Sequence, residues 1–292
     1  VSRSRIPAAA PHDDFVLEVE GLEVDFRSED GLLRAVRGVD FTLGRGEVLG
    51  IVGESGSGKS VTALSIMGLL PRTAAVRGSA RLNGQEMLNQ PRKVINRLRG
   101  KTISMVFQDP MTSLNPVHRV GDQIVEAILA HSDMSKADAR EKAIATLDLV
   151  GIPNARLRAR SYPHEMSGGM RQRAMIAMAV VNDPDVVIAD EPTTALDVTI
   201  QAQVMEVLAE ARESTGSAMI LITHDLGLVA GVADRIIVMY GGLAFEVGDT
   251  RTLFYESRNP YTQGLLTSTP RWSDREDVRL EPIPGAPPSI LA

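Results

Sequence analysis

The 292-residue sequence holds no cysteine, one tryptophan and only 4% aromatic residues. Without thiols it forms no disulfide and offers no thiolate to a metal, a composition that fits a reducing cytoplasm. Long apolar runs are missing too. The better ones, such as Ala174–Val181, stop well short of the ~18 residues that span a bilayer. A role at a membrane therefore has to run through partner proteins. There is no excess of positive charge either: 31 Lys and Arg stand against 37 Asp and Glu, a formal net charge of −6. No overall positive field exists to hold DNA or RNA, so nucleic acid is not expected as a partner. Residues 1–14 contain Arg3 and Arg5 but no apolar stretch after them, and read as a flexible leader rather than a secretory signal.

What is present is 43% hydrophobic residues, enough for a substantial core in one large domain or a domain with an appendage. Two extended segments, Phe15–Glu20 and Leu22–Phe26, lead through a turn at Ser28–Gly31 to a further strand around Val39–Leu43, an antiparallel β region. The pattern then changes. An apolar strand (Val48–Val52) meets a glycine-rich turn and a periodic helix from Lys59 to Leu70, ended by Pro71. Another extended stretch, Ile103–Phe107, precedes a helical block over about 109–183, with helices expected at Val120–His131, Lys136–Val150 and Gly168–Val181. Strand and helix alternate again through Val186–Ala189, Ile200–Glu213, Ala218–Ile222 and Arg235–Met239. Such alternation favours a parallel sheet covered by helices, with the helical block as an inserted subdomain. The sequence shows no internal repeat. Residues 269–292 are rich in proline and charge, and read as an irregular tail.

Gly53, Glu54, Ser55, Gly56, Ser57, Gly58, Lys59 and Ser60 match GxxxxGK[ST], placed between a strand and a helix. The glycines let successive N–H groups turn inward around phosphates, and the helix adds the positive end of its dipole. Lys59 is expected to neutralise β/γ-phosphates and the Ser60 hydroxyl to ligate Mg²⁺, and position 61, next in the helix, is grouped with the cradle. A second apolar strand, Val186–Ala189, ends in Asp190 and Glu191. Asp190 suits the Mg²⁺ shell, and Glu191 suits polarising an attacking water. An isolated Asp-Glu pair would more simply cap a surface strand; its company here argues otherwise.

Between these elements lies Met166-Ser167-Gly168-Gly169-Met170-Arg171-Gln172-Arg173, which resembles the signature of ABC ATPases. The resemblance covers about Phe15–Met239 and implies an α/β P-loop NTPase cassette: an antiparallel β subdomain, a parallel-sheet core and an inserted helical subdomain. Gln108 resembles the Q-loop glutamine, Ala195-Leu196-Asp197 the D-loop and His224 the catalytic H-loop histidine. Phe26 falls where the family carries an aromatic that stacks on adenine, although a lone strand phenylalanine is ordinarily core. Two cassettes of this family close head to tail around two ATP molecules, so Ser167, Gly168 and Gly169 are expected to serve the partner's nucleotide. Met170 departs from the glutamine common at that position, leaving the serine and glycine donors intact.

Phe107–Pro116, the Ser-Gly-Gly-Met-Arg-Gln-Arg run, Asn259–Leu266 and Pro282–Ser289 are similar to oligopeptide and dipeptide importer ATPases. That resemblance implies two transmembrane permease subunits, a second cassette, an extracellular peptide-binding protein and a peripheral place on the cytoplasmic face of the membrane. Importers of nickel or other small solutes share these tails, and a soluble ABC ATPase acting on nucleic acid or ribosomes is the reading from another class. In some members the Pro-rich stretch continues into a cysteine-containing segment that binds an iron–sulfur cluster. The resemblance thus implies a natural chain longer than these residues, and a cluster only where such an extension exists. The expected organisation is a leader (1–14), a cassette (15–268) and a tail (269–292).

Overall fold

The computed structural model describes residues 15–28, 31–194 and 197–268. The expected leader and tail, and D-loop positions 195 and 196, lie outside the described residues. The chain divides into two compact units, 1–90 with 220–292, and 91–219.

The first unit opens with β1 (Phe15–Ser28) and β2 (Gly31–Gly44), paired antiparallel. Two short segments were expected in place of β1. The chain instead runs through, because Gly21 takes φ +57° and the register with β2 shifts between Val19 and Leu22, a bulge that absorbs the irregularity without ending the strand. Leu17, Val19, Leu22 and Val24 of β1 meet Val36, Val39, Phe41 and Leu43 of β2 in the core.

Then β3 (Val48–Val52), buried along its whole length, delivers the chain to the glycine turn and α1 (Lys59–Ile66). The helix stops earlier than expected, and Pro71 is not its terminator. Gly68 (φ +60°) donates to the Ser65 carbonyl at 2.9 Å and Leu69 to the Leu64 carbonyl at 2.8 Å, a left-handed cap that satisfies the last carbonyls. Next, β4 (Ala74–Leu82) pairs with the free side of β1 and β5 (Gln85–Glu86) with β4, giving a sheet of order β2-β1-β4-β5.

The second unit runs through α2 (Arg92–Leu98), β6 (Ile103–Val106), α3 (Pro110–Ser113), α4 (Val120–Leu129), α5 (Lys136–Leu149), α6 (Ala155–Arg158), α7 (Gly168–Val180), β7 (Val186–Asp190) and α8 (Val198–Thr215). Strands β6 and β7 are parallel, from Ile103 opposite Val186 to Val106 opposite Ala189. Both are buried on every residue, so they read as continuous apolar runs rather than alternating ones. Helices α4, α5 and α7 bury Ile124 and Ile128, Ala139, Ala143 and Leu147, and Ala174 and Ile176, a face on which alanines alternate with larger aliphatic side chains.

The boundary between units falls inside β8 (Ala218–Thr223). The first unit then resumes with α9 (Leu226–Ala230), β9 (Arg235–Tyr240), β10 (Leu243–Asp249), α10 (Thr250–Glu256) and α11 (Pro260–Ser268). Here β3 and β9 are parallel, β10 turns back antiparallel on β9 through Gly241 and Gly242, and the strand order is β10-β9-β3-β8. The architecture is the expected α/β class, with an antiparallel sheet, parallel strands and a block of helices. No helix among the described residues is long and apolar enough to cross a membrane.

Candidate functional site

In the first unit the turn between β3 and α1 is shaped by three glycines at positive φ: Gly53 (+149°), Gly56 (+79°) and Gly58 (+102°). Two of them are also boxed in. A Cβ on Gly53 would run into the Met239 carbonyl, and one on Gly58 would lie 2.5 Å from the Ala35 carbonyl oxygen. At these two positions the loop therefore has to be main chain alone, and it leads directly into the N-terminus of α1, the helix end that favours an anion. Lys59 is buried, and its ammonium folds back to donate to the carbonyls of Gly53 (2.7 Å) and Glu54 (2.9 Å). Ser55 and Gly56 lie exposed on the loop, and Ser60 is half-buried on the first turn of α1. The Ser57 hydroxyl is buried with no hydrogen-bond partner. Position 61 is Val61, whose apolar side chain adds no donor beyond its backbone N–H in the first helical turn.

The same unit carries Phe26 and His224. Phe26 sits half-buried near the end of β1, opposite Leu33 and Ala74. His224 is exposed just past β8, where Asp225 turns the chain into α9 by accepting from the Gly227 N–H at 2.7 Å.

In the second unit β7 presents Asp190, buried, and then Glu191, half-buried. Glu191 adopts φ +46°, a left-handed backbone that costs a non-glycine residue about 1–3 kcal/mol and has to be held by its surroundings. Its carboxylate accepts from the Thr194 hydroxyl at 2.8 Å and from Gln108 Nε2 at 3.4 Å. The structure thus brings two of the sequence-predicted residues, Gln108 and Glu191, together. Thr194 is a third member that the motifs do not name.

Ser167 caps α7, accepting from the Met170 N–H at 3.3 Å, with no acidic residue in the first turn. The turn is thereby left open to an anion rather than neutralised by its own carboxylate. The helix is tied down from several sides. Arg171 Nε donates to the Pro163 carbonyl (2.6 Å), Arg171 also reaches the Met111 sulfur (3.0 Å), and buried Gln172 donates to the Pro192 carbonyl (2.6 Å). Gln172 thus joins the signature helix to the residue after Glu191, a link spacing alone does not reveal. Asp197 caps α8, accepting from the N–H groups of Thr199 (3.1 Å) and Ile200 (3.0 Å).

Each unit thus carries groups suited to phosphoryl chemistry: in the first a glycine loop and a cation, and in the second a strained carboxylate braced by a hydroxyl and an amide. Comparison with known proteins points the same way. The ABC transporter family matches residues 36–194, and the oligopeptide/dipeptide transporter C-terminal region matches 245–292. The oligopeptide transport ATP-binding protein OppD of Salmonella typhimurium is 52% identical over 292 residues, covering 100% of this chain and 87% of that protein. The dipeptide transport ATP-binding protein DppD of Bacillus subtilis is 52% identical over 279 residues, covering 95% and 83%. Among solved structures, the ATP-binding cassette MJ0796, described as a dimeric post-hydrolysis state bound to ADP and Pi, superposes with a TM-score of 0.71 at 25% identity. It covers 80% of this chain and 99% of that one.

Proposed function

We propose a function from one premise: the chain belongs to the ABC transporter family. It is the ATP-hydrolysing subunit of an importer whose cargo is peptide. The observation that carries the ATPase reading is the Lys59 ammonium, buried in a glycine loop that tolerates no side chain at Gly53 or Gly58. A cation held against carbonyls by charge-assisted bonds is poised to exchange them for phosphate oxygens. Peptide as cargo is supported by relatives named for oligopeptide and dipeptide transport, and by the C-terminal region match at 245–292.

The roles follow from the chemistry of each group. Loop amides and Lys59 hold the β/γ-phosphates, and Phe26 stacks on the adenine. Ser60 and Asp190 offer the hard oxygen donors that suit magnesium. Magnesium bound by Ser60 and Asp190 would supply positive charge against the phosphates. Glu191 takes the proton of a water whose oxygen attacks the γ-phosphorus, the bond to the β-phosphate oxygen breaks, and ADP and phosphate result. His224 contacts the γ-phosphate, and Gln108, already on Glu191, senses the ion. An iron–sulfur cluster would need cysteine thiolates, and these 292 residues contain none.

Ser167, Gly168 and Gly169 form the anion site for the nucleotide of a second cassette, with Asp197 coupling the two sites. Two permease subunits and an extracellular peptide-binding protein complete the assembly, with this chain peripheral on the cytoplasmic face. The test is ATP turnover by the complex isolated through a tag on this chain, with the binding protein empty or loaded with peptide. Stimulation by the peptide-loaded form supports the reading. Stimulation by a nickel- or solute-loaded protein instead replaces the cargo, and a chain that brings down no membrane subunits refutes transport.

A further inference from the structure

The C-terminal segment reaches the phosphate loop through one hydroxyl. Tyr261, on the first turn of α11, accepts a hydrogen bond from the Glu54 N–H at 3.3 Å. That N–H belongs to the Gly53–Glu54 peptide, whose carbonyl accepts the 2.7 Å bond from Lys59 Nζ. A single peptide plane at the start of the loop is thus gripped at both ends, by the loop's own lysine and by a tyrosine 207 residues away in sequence. Such a grip matters at this point because Gly53 has no Cβ to restrict that plane as another residue would, and a flipped peptide would turn its carbonyl away from Lys59.

The tyrosine is itself held firmly. Its ring packs against Tyr240 and Phe245, with centroids 4.3 and 5.9 Å apart. Asn259 accepts from the Tyr261 N–H at 2.9 Å and donates to the Phe245 carbonyl at 3.2 Å, pinning the start of α11 to β10. Thr262 beside it is fully buried. Burial pushes the phenol up to about 12, the Glu54 N–H pulling the other way, so the group is a neutral hydroxyl at ordinary pH.

We infer that Tyr261 is a positioning residue for the phosphate loop, through which the C-terminal segment sets the affinity of this subunit for nucleotide. The inference rests on the ATPase reading and adds a role for the Asn-Pro-Tyr-Thr run, which the hydrolysis chemistry does not use. The discriminating substitution is Tyr261→Phe, which keeps the ring contacts and removes the acceptor.

Binding of ADP and of a non-hydrolysable ATP analogue is measured for the full chain, its Tyr261→Phe variant and its Lys59→Ala variant. Thermal unfolding without nucleotide and hydrogen exchange at the Glu54 amide are followed alongside. Loss of one neutral hydrogen bond predicts about three- to tenfold weaker binding, faster exchange at Glu54, and a nucleotide-free melting temperature within about 3 °C of the parent. An affinity within about twofold of the parent overturns the inference while the ATPase reading stands. A larger fall in melting temperature, or failure to fold, also overturns it and makes Tyr261 a packing residue. A parent chain that binds no more nucleotide than Lys59→Ala overturns the ATPase reading and the inference with it.

Discussion

Replacing Glu191 by glutamine separates the two things its carboxylate does. Structurally, Glu191 accepts from the Thr194 hydroxyl at 2.8 Å and from Gln108 at 3.4 Å. A glutamine oxygen keeps the first of these, exchanging a charge-assisted bond for a neutral one, a difference of about 1 kcal/mol at a half-buried position. Chemically the loss is larger. General-base assistance contributes about 10²- to 10⁴-fold, or about 3–5 kcal/mol of barrier. Hydrolysis is therefore expected to fall at least a hundredfold, with nucleotide affinity and folding nearly unchanged. Steady-state phosphate release by the isolated complex, alongside equilibrium nucleotide binding and thermal unfolding, reads all three. Turnover above about a tenth of the parent rate would show that the proton goes elsewhere and sink the assignment. Equal losses of turnover and stability would mean that the variant has collapsed the left-handed backbone at Glu191 rather than removed a base.

Lys59→Ala removes a cation held against two loop carbonyls, so nucleotide affinity itself should drop more than tenfold; undiminished binding by titration calorimetry would refute the phosphate-loop assignment. Gly58→Ala combines a φ of +102° with a Cβ only 2.5 Å from the Ala35 carbonyl oxygen, and is expected to cost about 2–4 kcal/mol in a urea unfolding curve. Tyr261 gives a pH signature. Because burial raises its phenol to about 12, the folded chain keeps a proton that the unfolded chain loses near the ordinary value of 10. Its contribution to stability is full below the unfolded value and is lost as pH rises through the folded one. In an ultraviolet titration of tyrosinate, a late ionisation step should be present in the parent chain and vanish in Tyr261→Phe.

The frame of the fold was readable wherever local chemistry and tertiary packing asked for the same thing. The strands at Val48–Val52 and Val186–Asp190 are buried on both faces, so their apolar runs announced them without any need for alternation. Errors came where a local breaker was outvoted. Gly21 looked like the end of a strand, yet pairing with β2 on one side and β4 on the other carries the chain across it as a bulge. Pro71 looked like a helix stop, yet the N–H groups of Gly68 and Leu69 had already closed the helix on the Ser65 and Leu64 carbonyls. Strand β10 went unread for a different reason. Its first six residues are all half-buried, so neither a period of two nor a continuous apolar run marks Leu243–Asp249.

The site divides along the same line. Lys59, Glu191 and Ser167 stand out in the sequence because each sits in a short run of fixed spacing. Their braces do not. Thr194 and Gln172 work only once the chain after β7 has folded back, and Tyr261 meets Glu54 across 207 residues. A motif records atoms that must face a phosphate, whereas a brace needs only to reach a peptide or a carboxylate from any direction, and many sequences satisfy that. Asn259-Pro260-Tyr261-Thr262 read in sequence as a family marker alone. It becomes a physical statement once Asn259 is seen bonded to β10 and Tyr261 to the Glu54 N–H, the two contacts from which we infer a role for the C-terminal segment in nucleotide binding.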